Sequence, residues 1–240
     1  FLGFVVGCIL GSRVIQRVGH IRTFTALTAI AAAVILIHAL TDSPAAWWGL
    51  RAVTGFCFAG LFLVIESWLN ERATDESRGL VMGVYTMIVL SVTVVGQMML
   101  TLGDPAQFPL FAVTSILISL AAVPIALTAA RPPARLVQSR LRPTKLYSKS
   151  PVGVVGVFLA GVATGAFWSL GPSYALSARA DTSDVAIFMS IAVLGGAVVQ
   201  WPIGRLSDRF DRRRVVLMLC GVGVLAAVAL SLASVGGEWL

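Results

Sequence analysis

Gly204-Arg205-Leu206-Ser207-Asp208-Arg209-Phe210-Asp211-Arg212-Arg213-Arg214 concentrates five arginines and two aspartates in eleven residues, with long apolar runs on either side. A charged segment this short between two hydrocarbon-like stretches reads as a tight turn joining two membrane helices on one face of a bilayer. The same layout occurs 192 positions earlier, in Ser12-Arg13-Val14-Ile15-Gln16-Arg17-Val18-Gly19-His20-Ile21-Arg22. Laid over each other, Leu206 falls on Val14, Arg209 on Arg17, Arg212 on His20 and Arg214 on Arg22. A repeat at that distance points to two related halves.

Working outward, a helix needs about 20 apolar residues to cross a hydrocarbon core of about 30 Å. The runs that qualify are 23–40, 47–69, 80–102, 108–129, 152–178, 185–203 and 215–235, and residues 1–12 read as the end of one more. The expectation is an all-α polytopic membrane protein with seven full spans and a partial one. Composition agrees: 58% of residues are hydrophobic and 12% charged, against roughly 25% charged in ordinary soluble domains. No period-2 alternation appears, which disfavours a β-barrel. The chain starts inside an apolar run with Phe1, and is expected to be a fragment.

Cations set the orientation. Segments 13–22, 71–78, 131–149 and 205–214 hold three, two, six and five basic residues, sixteen of the chain's eighteen. These loops alternate with acidic or neutral ones, so the positive-inside rule makes them cytoplasmic. The net charge of +7 is thereby accounted for by topology, with a lipid bilayer and no nucleic acid as the partner. Residues 130–150, with three prolines and six cations, read as a cytoplasmic basic linker between an N-terminal half (1–129) and a C-terminal half (151–240). Cys8, Cys57 and Cys220 fall inside apolar runs without a CxxC pair and read as buried small hydrophobes. The pattern calls for no cofactor and no metal, and there is no G-x-x-x-x-G-K-[ST] phosphate loop for using ATP.

Two features mark close helix approach. Gly3, Gly7 and Gly11 form successive GxxxG spacings, and Gly161 and Gly165 another; residues four apart share a face and make a groove for a neighbouring helix.

The stretch 204–214 resembles the G-x-L-x-D-R-x-G-R-R loop of the major facilitator superfamily of secondary transporters, with Gly204, Leu206, Asp208, Arg209, Arg212 and Arg213 matching and Asp211 in place of the second glycine. Leu50-Arg51-Ala52-Val53-Thr54-Gly55 is similar to the R-x-x-Q-G pattern of that family's fourth span. Arg78-Gly79 with Gly83 and Tyr85 is like its entry into span five, and Glu66–Arg72 looks like a generic bacterial branch. The resemblance implies a major-facilitator-type helix bundle running from late span two to span nine. It implies transport of a small organic solute by alternating access, coupled to protons and directed toward efflux, in the bacterial inner membrane. A membrane-embedded enzyme would need paired catalytic groups at depth, such as His-x-x-x-His or two facing aspartates, and with no such pair in the sequence no enzymatic role is expected. The rival class is a membrane scaffold or degenerate transporter with no transport cycle.

Site residues follow from charge at depth, since an ionisable group inside a span is a functional candidate by default. Arg51 and Glu66 lie in one span, 15 residues apart, which is ~22 Å along a helix and ~60° of net rotation. They are therefore expected to face roughly the same side, a water-filled cavity. The alternatives are snorkelling for Arg51 and pairing with Arg13 or Arg17 for Glu66. The resemblance assigns Gly204, Asp208, Arg209, Arg212 and Arg213, with Arg17 and Gly19 of the weaker first copy, to a cytoplasmic latch that breaks during alternating access. Gln16 replaces the acid in that first copy. Phe167, Trp168 and Tyr174 are candidates for lining the substrate cavity, the alternative being an interfacial aromatic belt. Gln97 and Gln200 are expected to hydrogen-bond across helices, Gln200 standing also as a coupling or substrate candidate, and His38 reads as interfacial.

Overall fold

The computed structural model describes residues 1–128, 143–177 and 181–236. Among them there is no strand. The helices are α1 (Leu2–Val18), α2 (His20–Ala39), α3 (Pro44–Arg72), α4 (Arg78–Met99, continued by one 3₁₀ turn over Leu100–Leu102), α5 (Phe108–Ala126), α6 (Pro143–Lys149), α7 (Pro151–Ser177), α8 (Thr182–Arg209) and α9 (Arg212–Gly236). Six are long and apolar enough to cross a bilayer: α2, α3, α4 with its 3₁₀ turn, α5, α7 and the first 19 residues of α8. Six candidates among the described residues do not confirm the expected seven full spans; α1 has 17 residues, and α9 covers the expected run 215–235.

Helix boundaries differ from the expected loops. Segment 13–22 is helical except at Gly19, and α8 continues to Arg209, so most of the cations sit on helix ends. A helix C-terminus carries a partial negative charge that Arg17, in the last turn of α1, complements by ~0.3–1 kcal/mol. Helix can therefore continue past the apolar run.

The two copies of the charged turn break the helix by different means. Gly19 has φ 94° and ψ 161°, a region open essentially to glycine alone. At the superposed position, Asp211 accepts a hydrogen bond from the Arg213 backbone N–H through Oδ1 at 2.8 Å, capping α9 as a short acidic side chain does. A Cβ at residue 19 would meet nothing within 4 Å. Gly19→Ala is therefore expected to destabilise through the backbone alone, by about 1–3 kcal/mol, read as a lowered unfolding midpoint of the purified protein.

Other ends are capped reciprocally. Thr74 and Ser77 exchange side-chain-to-backbone bonds before α4, and Asp181 and Asp184 do so at the start of α8. Inside the spans, hydroxyls of Thr28, Thr54, Thr86, Thr93 and Thr114 donate to carbonyls of their own helices, which satisfies them without a partner helix.

The chain forms two compact units, Phe1–Met189 and Ser190–Leu240, with the boundary inside α8. In the first unit α1 packs along α3, and α2 packs against both α3 and α5. The core is Ile15, Phe24, Leu27, Ala31, Cys57, Leu61 and Val64, with Phe56, Leu63, Ile65, Ile118 and Ile125 against it. The α1 glycine stripe makes this possible: a Cβ on Gly3 would run into the Ala52 carbonyl, and one on Gly7 would lie 2.7 Å from Ala59 Cβ and 2.8 Å from the Phe56 carbonyl oxygen. On the other side of α3, a Cβ on Gly60 would collide with Leu27 of α2. Ser115 Oγ ties α5 to α2 by donating to the Ala32 carbonyl at 3.0 Å. The Gly161/Gly165 pair makes no such groove: Gly161 meets nothing within 4 Å, and Gly165 meets the Phe1 ring. Of the cysteines Cys57 alone is buried; Cys8 and Cys220 are exposed on their helices.

Candidate functional site

Arg51 lies two turns into α3, at the end away from the Gly19 turn. Its guanidinium stands 5.7 Å from the centroid of the Trp47 ring, a cation–π geometry that retains the charge near an apolar surface. The Trp47 indole N–H donates to the Thr41 carbonyl at 2.7 Å, which fixes the ring. Arg51 lines two hollows. One, of about 260 Å³, lies between α2, α3 and α5 and is walled by Ile35, His38, Thr54, Phe58, Leu110 and Phe111 among others. The second, at the rim, is formed with Asp42, Pro44, Trp47 and Trp48. No ion pair to Arg51 occurs among the described residues.

Glu66 lies at the other end of α3. It lines a larger hollow of about 490 Å³ with Phe4 and Cys8 of α1, Phe62 and Leu63 of α3, and Tyr85, Thr86 and Val89 of α4. Tyr85 of α4 thus shares this hollow with Glu66. Arg51 and Glu66 thus occupy separate hollows rather than one shared side. The two stand ~22 Å apart along α3, where α2 and α5 contribute to the hollow at one end and α1 and α4 to the hollow at the other. Nor does Glu66 pair with Arg13 or Arg17 among the described residues.

His38 departs most from its sequence reading. It is 5% exposed, with Nδ1 2.8 Å from the Val34 carbonyl oxygen and its ring edge-on to Trp47 at 4.9 Å. The residue read as interfacial is buried. A lone histidine near a helix end carries no signal for this, because its cover is Trp47, brought over by the 40–43 turn.

The remaining candidates are placed as follows. Phe167 and Trp168 form an edge-to-face pair on α7, 5.7 Å between centroids, and Trp168 and Tyr174 are exposed. None of these aromatics lines the three hollows above. Gln97 and Gln200 make no cross-helix hydrogen bond among the described residues. The backbone of Gly204, Asp208 and Arg209 belongs to the last turns of α8, and Arg212 and Arg213 open α9. The side chains of Asp208, Arg209 and Arg212 lie outside the described residues. Arg17 closes α1 next to Gly19.

Comparison with known proteins adds the family. The model of the Major Facilitator Superfamily matches residues 1–240. An uncharacterized MFS-type transporter, YcaD, of Escherichia fergusonii is 28% identical over 235 residues. One of Enterobacter sp. (strain 638) is 28% identical over 239 residues, and one of Yersinia pestis (strain Pestoides F) 26% over 232. In each case the alignment covers 96% of this chain and 61% of the relative, so the chain spans about three fifths of the length of the curated relatives it matches. No solved structure matches. With the family's pattern running through every helix and both charged turns, the chain belongs to the Major Facilitator Superfamily.

Proposed function

We propose that the protein is a secondary active transporter that moves a small organic solute across the bacterial inner membrane by alternating access, coupled to protons and exporting its solute. The observation that carries this reading is the family match over all 240 residues, on a chain whose helices are built to cross a bilayer. The two hollows on α3 support it: Arg51 stands in one at one end of the helix, and Glu66 in the other at the opposite end. In this reading the cationic turns are cytoplasmic and residues 130–150 link an N-terminal and a C-terminal half.

Reconstitution in liposomes with an imposed pH gradient tests the proposal, with a solute panel followed by radiotracer flux and proton movement by a pH-sensitive dye. At least one solute is expected to move with protons. Arg51→Ala is expected to slow it about tenfold or more, the rate equivalent of about 1.4 kcal/mol. If no solute moves, the transporter reading falls and a scaffold or degenerate transporter takes its place. If flux is unchanged in Arg51→Ala, Arg51 has no part in coupling or substrate binding.

A further inference from the structure

The hollow shared by His38 and Arg51 has a composition that selects a ligand. The Val34 carbonyl can only accept, so His38 Nδ1 carries the proton in that 2.8 Å bond. In the neutral ring Nε2 is then a bare acceptor. It is buried and has no hydrogen-bond partner, an arrangement that ordinarily costs stability and calls for an explanation. Trp47 links it to the cation: its ring meets the imidazole at 4.9 Å and the Arg51 guanidinium at 5.7 Å.

The rest of the wall is apolar, from Ile35, Phe58, Leu110 and Phe111. Thr54 and Thr114 have spent their hydroxyl protons on their own helices. No carboxylate lines the hollow. The charged group that lines the hollow with His38 is Arg51 from α3, and Arg51 in turn shares the second hollow with Asp42. Residues Leu110, Phe111 and Thr114, which α5 contributes, bring none.

We propose that this hollow binds a small, largely apolar monocarboxylate, with Arg51 and His38 as its cationic wall, and that the carboxylate enters together with a proton taken up by His38. Without a ligand, an imidazolium beside Arg51 sets like charges together. A carboxylate in the hollow attracts both, so anion and proton stabilise each other and the pair enters with no net charge. A volume of about 260 Å³ limits the ligand to a short chain or a single ring. This assignment names a substrate class for the transporter reading and rests on that reading for its meaning in the cell.

Calorimetric titration of the purified intact protein in nanodiscs tests it, using benzoate, hexanoate and the uncharged isostere benzamide. Titrations at about pH 6 and about pH 8 read the pH dependence, and two buffers of different ionisation enthalpy count protons. At least one of the two carboxylates is expected to bind and benzamide not, with uptake of up to about one proton at the higher pH. Affinity should fall by as much as about tenfold per pH unit once the free histidine is neutral. Arg51→Gln should weaken binding on the order of tenfold to a hundredfold. His38→Gln should bind without proton uptake and with a flat pH profile. Benzamide binding as tightly as benzoate, no carboxylate binding, or a pH dependence that survives His38→Gln would each overturn the proposal. If that variant does not fold, the benzoate–benzamide contrast and the proton count of the unsubstituted protein decide alone. Carboxylate binding without liposome flux leaves this site standing and removes the transporter reading; flux of other solutes with no carboxylate binding does the reverse.

Discussion

Gly7→Val is expected to cost about 3 kcal/mol, near the top of the usual range for overpacking, whereas Gly161→Val should be nearly neutral. Both glycines stand in a GxxxG spacing in an apolar helix. At Gly7 even the Cβ lies 2.7 Å from Ala59 Cβ and 2.8 Å from the Phe56 carbonyl oxygen; the latter is backbone of α3 and has no rotamer to yield. A valine adds two methyl groups beyond that contact. Helix α1 must then move away from α3 or α3 must bend, and either change opens the packing around Ile15, Cys57 and Val64. At Gly161 an added Cβ meets nothing within 4 Å. Unfolding midpoints in detergent, with both variants measured beside the unsubstituted protein, read the difference. Equal midpoints for the two variants would show that α1 is not held by close approach to α3.

That pair also shows what was legible. A stripe of small residues announces a smooth face, and Gly3, Gly7 and Gly11 were readable as one. The stripe does not say which helix fills it or whether any does, because its neighbour is chosen by tertiary packing. Charge patterning and the apolar runs yielded the helices and the order of the turns, since burying charge in hydrocarbon is costly enough to be avoided everywhere else. They set the ends badly: Val18 and Arg209 are helical because cations at a helix C-terminus favour the helix rather than stopping it. The sites were less legible still. Arg51 and Glu66 were recognisable as charges at depth, but a ~60° offset could not reveal that α3 has different neighbours at its two ends. The burial of His38 depends on Trp47, nine residues and one turn later, a contact no local pattern encodes.

Asp208→Asn is expected to reduce transport about tenfold, while Gln16→Ala leaves it within about twofold; losing one charge-assisted hydrogen bond at about 1.5–3 kcal/mol is enough for the first effect. The stretch 204–214 holds two acids; Asp208 matches the acid of the superfamily's loop, and Asp211 stands where that loop has glycine. Asp211 is committed elsewhere: its Oδ1 caps the start of α9 through the Arg213 N–H, and its carbonyl accepts from Arg214 and Val215. That leaves Asp208, on the last turn of α8, as the acid that matches the superfamily's latch position. In the first copy the superposed residue is Gln16, which bears no charge to exchange with a helix N-terminus or an arginine. The helix break there is made by Gly19 and its positive φ, so the turn keeps its shape without an acid. Initial flux rates in liposomes for the two variants, normalised to protein inserted, separate the cases. A tenfold loss at Asp208 with near-normal rates at Gln16 supports a one-sided latch, whereas equal losses mean that the two turns act only as the positively charged ends of helices.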